Sequence, residues 1–454
     1  MATRSWLQST LSFIPGIIYT LLYTAAYTPL LSPNTAWISH LLGLGGFALW
    51  VKDYPRYWVM FHSSYYLTIL WMIYPMIYKA QLPLGLSITL VTLFITLMSI
   101  TKSMPMTYIT HHFPHYSLSL CGVYWAIFEY IQIHVMHFPW ILWPQVQGPS
   151  PLTGLLSPLP TVLWVTILMA LWEYMLYLGI RYMVICVTAI LCLTLYQNSY
   201  DIPLPDISFA VVQGYIEKDL PAYISPYDAH QEHLKHYTEL SHMFSDVDMI
   251  IWPECIMGSV CPIRRHAVTL YDALPQHKPL LLGACFSDKG YENTALFIHP
   301  SHNHATRTKK HYVPLGESVP VWLQSILHKI LPEFQHIVLD SGSEYTSFSF
   351  TKNNTLYRFL ALICYESTFA AFESMPSVDW IAILNESIWF HSAIAQYQQL
   401  AFAQLIAHKY TTPVILSSNN GVTAWIDARG HIREALPINT IGVLEVHWNK
   451  KDPH

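Results

Sequence analysis

The stretch YRFLALICYE, residues 357–366, decides the fold class of the second half of the chain. Its centre is a continuous run of apolar side chains, and it ends in Cys364, Tyr365 and Glu366. A short apolar run bounded by polar residues predicts a strand that is buried on both faces of a sheet. Runs of the same kind lie on both sides of it: ISFAVVQGYI (207–216), DMIIW (248–252), PLLLGAC (279–285), ALFIHP (295–300), DWIAIL (379–384), TPVILSS (412–418) and VTAWIDA (422–428).

Helical patterns lie between some of these runs, near residues 226–245, 321–330 and 391–410. Buried strands that alternate with helices are typical of α/β layered folds. We therefore expect residues 201–454 to form an α/β domain.

Residues with reactive groups follow the ends of these predicted strands. Glu254 follows DMIIW, and Cys364 follows FLALI. The segment between them contains Lys309, Lys310 and Glu317. A carboxylate can take the proton of a thiol, and an ammonium group can stabilise the oxyanion that forms when the thiolate attacks a carbonyl. The pattern thus indicates acyl transfer through a thioester.

Each of these residues also has an ordinary interpretation. A cysteine at a strand end is more often an inert core residue, Trp-Pro-Glu is usually a turn, and a pair of lysines is usually solvated. The hypothesis of a catalytic site depends on the joint order of the residues and on their placement at strand ends.

The first part of the chain has a different composition. Residues 1–200 contain six basic and three acidic side chains, whereas residues 201–454 contain 17 and 25. The whole chain is 53% hydrophobic and 11% charged, which is too apolar for an ordinary soluble protein. This contrast predicts a membrane domain at 1–200 and a water-exposed domain at 201–454.

Seven apolar segments meet or approach the length of about 20 residues that a membrane span needs. They lie near residues 11–31, 35–50, 57–78, 83–100, 117–143, 160–179 and 182–197. Two of them contain a carboxylate, Glu129 or Glu173, which we expect either to face a polar partner or to be protonated or at a helix end.

Basic residues predict the orientation of these spans, because Lys and Arg are enriched in cytoplasmic loops. An odd number of spans then places residues 201–454 on the outer side of the membrane. If the sixth and seventh segments were one tilted helix, this domain would be cytoplasmic. Lys79 alone disagrees with the pattern. The residues that agree with it are Arg4, Lys52, Arg56, Lys102 and Arg181.

The sequence argues against nucleic acid and against metal. The second part carries a net negative charge and no basic run, whereas nucleic-acid binding needs a basic face. The seven cysteines and 24 histidines show no zinc-ligand spacing. Cys255 and Cys261 are close enough in sequence to form a disulfide if the domain is exported.

Three groups of residues resemble the motifs of the nitrilase, or carbon-nitrogen hydrolase, superfamily. They are Trp252-Pro253-Glu254, Lys309 with His311 and Gly316-Glu317, and Cys364-Tyr365-Glu366. A nitrilase-type domain behind several membrane spans is similar to the apolipoprotein N-acyltransferase family. Further matches are VVQGYI (211–216), SNNGVTAWI (418–426), and Trp125 with Glu129 followed by Phe138-Pro139-Trp140.

The resemblance implies an αββα sandwich and a ping-pong reaction. Cys364 would take an acyl chain from a phospholipid and pass it to the N-terminal amine of an apolipoprotein that carries S-diacylglyceryl cysteine. Glu254 would be the general base and Lys309 the oxyanion partner, with no cofactor. The family also implies a multi-pass protein of the bacterial inner membrane whose catalytic domain is periplasmic. Supporting roles would go to Glu317, Tyr365 and Glu366.

The sequence departs from the family pattern in three places. The chain ends in the polar sequence NKKDPH where a further membrane helix is expected. Residues 385–390 have one residue more than the family's Asn-Asp-Ala-Trp-Phe. The predicted helix 391–410 lacks the expected arginines. Two alternatives therefore stay open: a membrane-anchored amidohydrolase of the nitrilase type, and a divergent homologue that binds lipoproteins without catalysis.

Overall fold

The computed structural model divides the described chain into two compact units. Unit 1 comprises residues 1–201 and 392–409, and unit 2 comprises residues 202–391 and 410–454. Each unit is described by itself below. The residues described are 14–78, 82–179, five positions between 185 and 196, 202, 204–216, 226–242, 246–254, 278–286, 292–299, 304–314, 317, 342 and 344–448.

Unit 1 is helical. The helix Leu84–His112 and the helical segment Thr161–Leu178 are long and apolar enough to cross a membrane, which by itself is weak evidence of spans. The predicted span 57–78 contains two short α-helices with a 3-10 segment between them, and 182–197 lies mostly outside the described residues. Seven spans therefore stay a prediction. The described α-helices, α1 to α8, are Ile14–Ala25, Ala36–Val51, Trp58–Tyr66, Ile73–Tyr78, Leu84–His112, Ser117–His134, Pro151–Leu156 and Trp164–Leu178.

The two carboxylates in the apolar segments both have polar partners. Glu129 lies 3.7 Å from the ammonium group of Lys102, and both side chains are buried. Glu173 accepts hydrogen bonds from the backbone N–H groups of Leu118 and Ser119, which are donors of the first turn of α6 that no helical carbonyl can satisfy. The segment 83–100, predicted as a span that Lys102 follows, is part of a longer helix, because α5 continues past Lys102 to His112.

One helix of unit 1 comes from late in the sequence. Ala393–Lys409, here called the returning helix, was expected to be part of the 201–454 domain, but it packs within unit 1. Its Gln398 side chain accepts hydrogen bonds from the indole N–H groups of Trp71 and Trp140, at 3.2 and 2.6 Å. Its glutamines thus bind unit 1 where the family pattern predicted arginines.

Unit 2 contains two six-stranded sheets. The first has the strand order β12-β1-β2-β3-β4-β5 and the second β11-β10-β9-β8-β7-β6. In each sheet the three consecutive strands β1-β2-β3 or β7-β8-β9 are parallel, and the outer pairs are antiparallel. The strands β1 to β12 are Ser208–Gln213, Met249–Ile251, Leu280–Phe286, Glu292–Ile298, His304–Thr308, Phe348–Lys352, Thr355–Ile363, Trp380–Asn385, Val414–Ser418, Thr423–Ile426, Ile432–Leu436 and Gly442–His447.

The two sheets share one hydrophobic core. Phe209 and Ile251 of the first sheet lie in the same buried cluster as Phe359 and Trp380 of the second. The strands β1 to β4 of the first sheet also contribute apolar residues to their other face: Ala210 and Ile250 pack in a second cluster with Tyr237 of the helix Pro226–His242. The predicted buried strands and α/β layers are therefore confirmed for unit 2.

Candidate active site

Cys364 lies directly after β7, at the carboxyl end of three parallel strands. Its backbone N–H donates to the carbonyl oxygen of Leu384 in β8, at 2.9 Å. Its φ is +47°, a left-handed conformation that is uncommon for a residue with a side chain. This sharp turn ends the strand and begins the short helix Glu366–Ala370, and Cys364 itself is 5% exposed.

Lys309 follows β5, at the edge of the first sheet, and is fully buried. Its backbone N–H donates to the carbonyl oxygen of Asn293 at 2.7 Å. Its ammonium group lies 3.1 Å from a carboxylate oxygen of Glu254 and 2.8 Å from one of Glu317. Two carboxylates therefore surround one ammonium group that has no access to water.

Glu254 lies three residues after β2 and is 3% exposed. The oxygen that contacts Lys309 also accepts a hydrogen bond from the side-chain amide of Asn293, at 2.7 Å. The other oxygen accepts a hydrogen bond from the backbone N–H of Glu386, at 3.1 Å. The carboxylate thus accepts bonds from three groups that belong to different segments of the chain.

The charges of this cluster act on the pKa values of the lysine and the cysteine. Burial lowers the pKa of Lys309, but the carboxylates of Glu254 and Glu317 outweigh it and raise the pKa well above its usual range. Burial and the carboxylate of Glu254 raise the pKa of the Cys364 thiol well above its usual range, against the opposing effect of Lys309. The resting cysteine is therefore a neutral thiol beside a charged lysine.

The three predicted supporting residues occupy different surroundings. Glu317 contacts Lys309 and accepts a hydrogen bond from the backbone N–H of Val313, at 2.9 Å. Glu366 is buried and forms a two-armed ion pair with Arg307, so it does not contact Lys309 directly. Tyr365 is buried, and its ring packs edge-on against Phe369.

Three groups near these residues were missed at the sequence level. Arg307 lies in β5, two residues before Lys309, so alternation continued past the end of the strand could have indicated that both point toward the same side. Asn293 bridges Glu254 and Glu317 from the neighbouring strand, and its sequence context NT carries no signal of this role. The backbone N–H of Glu386 donates to Glu254 and also lowers the pKa of the Cys364 thiol, which only tertiary structure reveals.

Among the described residues, the cysteines are of two kinds, free thiols and one disulfide-bonded residue. Within the described residues, no group of three His, Cys, Asp or Glu side chains could hold a metal ion. Cys121, Cys192 and Cys364 are free thiols. Cys285, at the end of β3, is disulfide-bonded, whereas Cys255 and Cys261 lie outside the described residues.

The sequence model of the carbon-nitrogen hydrolase family matches residues 210–451 of this chain. The apolipoprotein N-acyltransferase of Vibrio cholerae is 26% identical and covers 91% of this chain and 82% of its own length. The protein of the same name from Shewanella oneidensis is 24% identical, with 91% of this chain and 86% of its own length covered. The one from Pseudomonas putida is 28% identical, with 66% of this chain and 62% of its own length covered.

The resemblance to apolipoprotein N-acyltransferases, first indicated by three short motifs, is thus confirmed along most of the chain. More than half of the chain matches the hydrolase family model, and this matched part contains Glu254, Lys309 and Cys364. The chain belongs to the carbon-nitrogen hydrolase family.

Proposed function

We propose that this protein is an apolipoprotein N-acyltransferase. It moves an acyl chain from a phospholipid, through a thioester on Cys364, to the N-terminal amine of an apolipoprotein that carries S-diacylglyceryl cysteine. The observation that carries the proposal is the buried cluster in which Lys309 contacts Glu254 and Glu317, with the Cys364 thiol under the charge of all three.

In the first half of the reaction, the sulfur of Cys364 attacks the ester carbonyl of the phospholipid. Glu254 takes the thiol proton, which is needed because the raised thiol pKa keeps the resting cysteine neutral. The ammonium of Lys309 stabilises the oxyanion of the tetrahedral intermediate. The carbon–oxygen bond then breaks, and the lysophospholipid oxygen leaves with the proton that Glu254 returns.

In the second half, the amine of the acceptor attacks the thioester carbonyl. Glu254 takes the proton that the amine loses, and the same oxyanion partner serves again. The carbon–sulfur bond breaks, an amide forms, and the sulfur of Cys364 recovers its proton. No step requires a cofactor. Glu317 orients the ammonium by its direct contact, and the Asn293 side-chain amide, which donates to both Glu254 and Glu317, orients the base.

We also propose that the protein is a multi-pass protein of the bacterial inner membrane, with unit 2 on the periplasmic side. The apolar composition of residues 1–200 and the two long apolar helices support membrane insertion. The basic residues Lys52 and Arg56, between the α-helices α2 and α3, support the orientation. The disulfide of Cys285 supports an oxidising compartment, because disulfides are rare in the cytosol.

Mass spectrometry of a diacylated model lipopeptide, incubated with the protein and phospholipid vesicles, tests the proposed activity. The expected result is a third acyl chain on the peptide amine. An unchanged lipopeptide together with ammonia release from amide substrates would instead identify a hydrolase. No change in either substrate would identify a lipoprotein-binding homologue without catalysis.

A further inference from the structure

The segment that carries Lys309 contacts the segment that carries Cys364 at several points beyond the catalytic cluster. Lys309 to His311 follow the edge strand β5 of the first sheet. Cys364 and the helix Glu366–Ala370 follow β7 of the second sheet. Because the two residues come from different sheets, the distance between the ammonium and the sulfur depends on what joins these two segments.

Glu366 forms the inner link. Its carboxylate pairs with both terminal nitrogens of Arg307 and accepts hydrogen bonds from the backbone N–H groups of Lys310 and Ile363. Arg307 also donates to the carbonyl oxygen of Ala361 in β7, at 2.8 Å. This link is fully buried, and its carboxylate is one that the family resemblance had already indicated.

Glu373 forms an outer link that no motif indicated. One carboxylate oxygen lies 2.7 Å from the ammonium of Lys310, and the other lies 3.0 Å from the imidazole Nε2 of His311. The His311 ring also stacks on Phe369, with ring centroids 4.0 Å apart and planes 8° apart. Both residues that follow Lys309 are therefore attached to the end of the helix that follows Cys364.

The position of Glu373 is itself fixed. The hydroxyl of Tyr410 donates to the carbonyl oxygen of Ala370, at 2.9 Å, and to that of Glu373. Burial raises the pKa of Glu373, but the contacts with His311 and Lys310 outweigh it and lower the pKa to about 2. The carboxylate is therefore ionised throughout the physiological range, so its charge is available to both partners.

We propose that Glu373 is a positioning residue: through Lys310 and His311 it fixes the Lys309 ammonium at its distance from the Cys364 thiol. It does not contact the reacting atoms. Its effect on acyl transfer rests on the proposed function, whereas its effect on the thiol does not.

The test compares Glu373→Gln with Glu344→Gln, a matched control that removes an exposed carboxylate. The first measurement is the rate at which iodoacetamide alkylates Cys364, followed on the Cys364 peptide by mass spectrometry across neutral and alkaline pH. Lys309 lowers the thiol pKa, so a displaced ammonium shifts the alkylation profile of Glu373→Gln to higher pH. The second is the rate of acyl loading from phospholipid, which should fall about 10- to 100-fold with an unchanged KM, as expected for a small misplacement of a catalytic group.

Shifts in Glu373→Gln that are absent from Glu344→Gln support the proposal. A folded Glu373→Gln protein whose alkylation profile equals that of the wild type overturns it, whatever its acyl transfer rate. Alkylation needs no lipid, so it can be measured whether or not the protein transfers acyl chains. If Glu373→Gln shifts the alkylation profile while the wild type loads no acyl chain, the proposed function is contradicted and the positioning role of Glu373 is not. If Glu373→Gln does not fold, the variants Lys310→Met and His311→Asn test the partly exposed ends of the link. Their alkylation profiles must also shift to higher pH. Unchanged profiles in both variants overturn the proposal.

Discussion

Two fully buried lysines, one in each unit, have opposite surroundings. Lys309 of unit 2 contacts two carboxylates, at 3.1 and 2.8 Å. Lys102 of unit 1 has one carboxylate, Glu129, at 3.7 Å; its ammonium donates to the Tyr65 hydroxyl at 2.7 Å and lies 4.3 Å from the centroid of the Trp125 ring. One ammonium group is surrounded mainly by charge and the other mainly by aromatic rings.

The different surroundings of the two ammonium groups suit them to different roles. The carboxylates around Lys309 are the partners that a nucleophilic thiol needs, and Cys364 lies within reach of their charge. Around Lys102, the ring of Trp125 gives a cation–π contact, and the indole N–H of the same ring donates to Glu129. We therefore expect Lys309 to serve chemistry and Lys102 to serve the packing of α5 against α6.

The largest expected effect is that of Lys309→Met on catalysis. Loss of the oxyanion partner should slow acyl loading on the order of 100-fold or more, because one such donor typically contributes that much. The variant also leaves Glu254 and Glu317 close together without a cation between them. Rates of acyl loading from labelled phospholipid measure the effect.

The control for this prediction is Lys235→Met, which removes an exposed lysine from the helix Pro226–His242. It should load acyl chains at the wild-type rate. If Lys309→Met loads acyl chains at the wild-type rate, Lys309 has no part in the mechanism, and the catalytic role that distinguishes it from Lys102 is contradicted.

The next effect is that of Lys102→Met on stability. Breaking a buried ion pair leaves Glu129 uncompensated and should cost roughly 3–5 kcal/mol of unfolding free energy. The double variant Lys102→Met/Glu129→Gln should recover much of this loss, because no isolated charge remains. Thermal unfolding in detergent micelles measures the stability, and acyl loading per folded molecule should stay at the wild-type value. A stable Lys102→Met protein with slow loading would contradict the division of roles.

A smaller effect is expected at Gln398 of the returning helix. Gln398→Leu leaves the indole N–H groups of Trp71 and Trp140 without their acceptor, which should cost about 1–3 kcal/mol per buried group. The same unfolding experiment measures it. Ala401→Gly on the same helix offers a comparison for helix propensity alone, since it should cost only about 1 kcal/mol. Equal losses in the two variants would show that the amide contacts contribute nothing beyond the helix itself.

The smallest effect concerns a largely buried carboxylate of unit 2. Asp427 accepts hydrogen bonds from the backbone of Arg429 and His431 and pairs with Arg433. Burial raises its pKa, but the side chain and backbone N–H of His431 and the charge of Arg433 outweigh it and lower the pKa to about 2. A pKa lower in the folded than in the unfolded protein means that this stabilisation is present above about pH 4 and is lost as the pH falls toward 2. Asp427→Asn should flatten the acid limb of the stability curve, and an unchanged acid limb would contradict this assignment.

Much of the site could be predicted from the sequence, because its chemistry depends on residue types at strand ends. Glu254 and Cys364 each follow a strand that an apolar run predicted, and Lys309 was indicated by its motif. The ion pairs of Arg307 and Glu373 could not be predicted, since their partners are far away in sequence and no pattern links them. The strands β5, β6, β11 and β12 were missed because they are edge or outer strands whose exposed faces interrupt the apolar run.

The membrane part was harder to predict in detail. Hydropathy located most of its helices, but it placed the end of α5 before Lys102, because a lysine in an apolar helix is normally a sign of the membrane surface. The pairing with Glu129, in the next helix, supplies a partner for the buried ammonium group of Lys102. The position of the returning helix depends on glutamine contacts that hydropathy cannot detect.

The central claim is that Cys364 is the acyl-carrying nucleophile. Its most direct test is peptide mass spectrometry of the full-length protein after incubation with phospholipid vesicles. We predict an acyl mass on the Cys364 peptide that hydroxylamine removes and that the Cys364→Ala protein never acquires. A hydroxylamine-labile acyl group that persists in Cys364→Ala would contradict the claim.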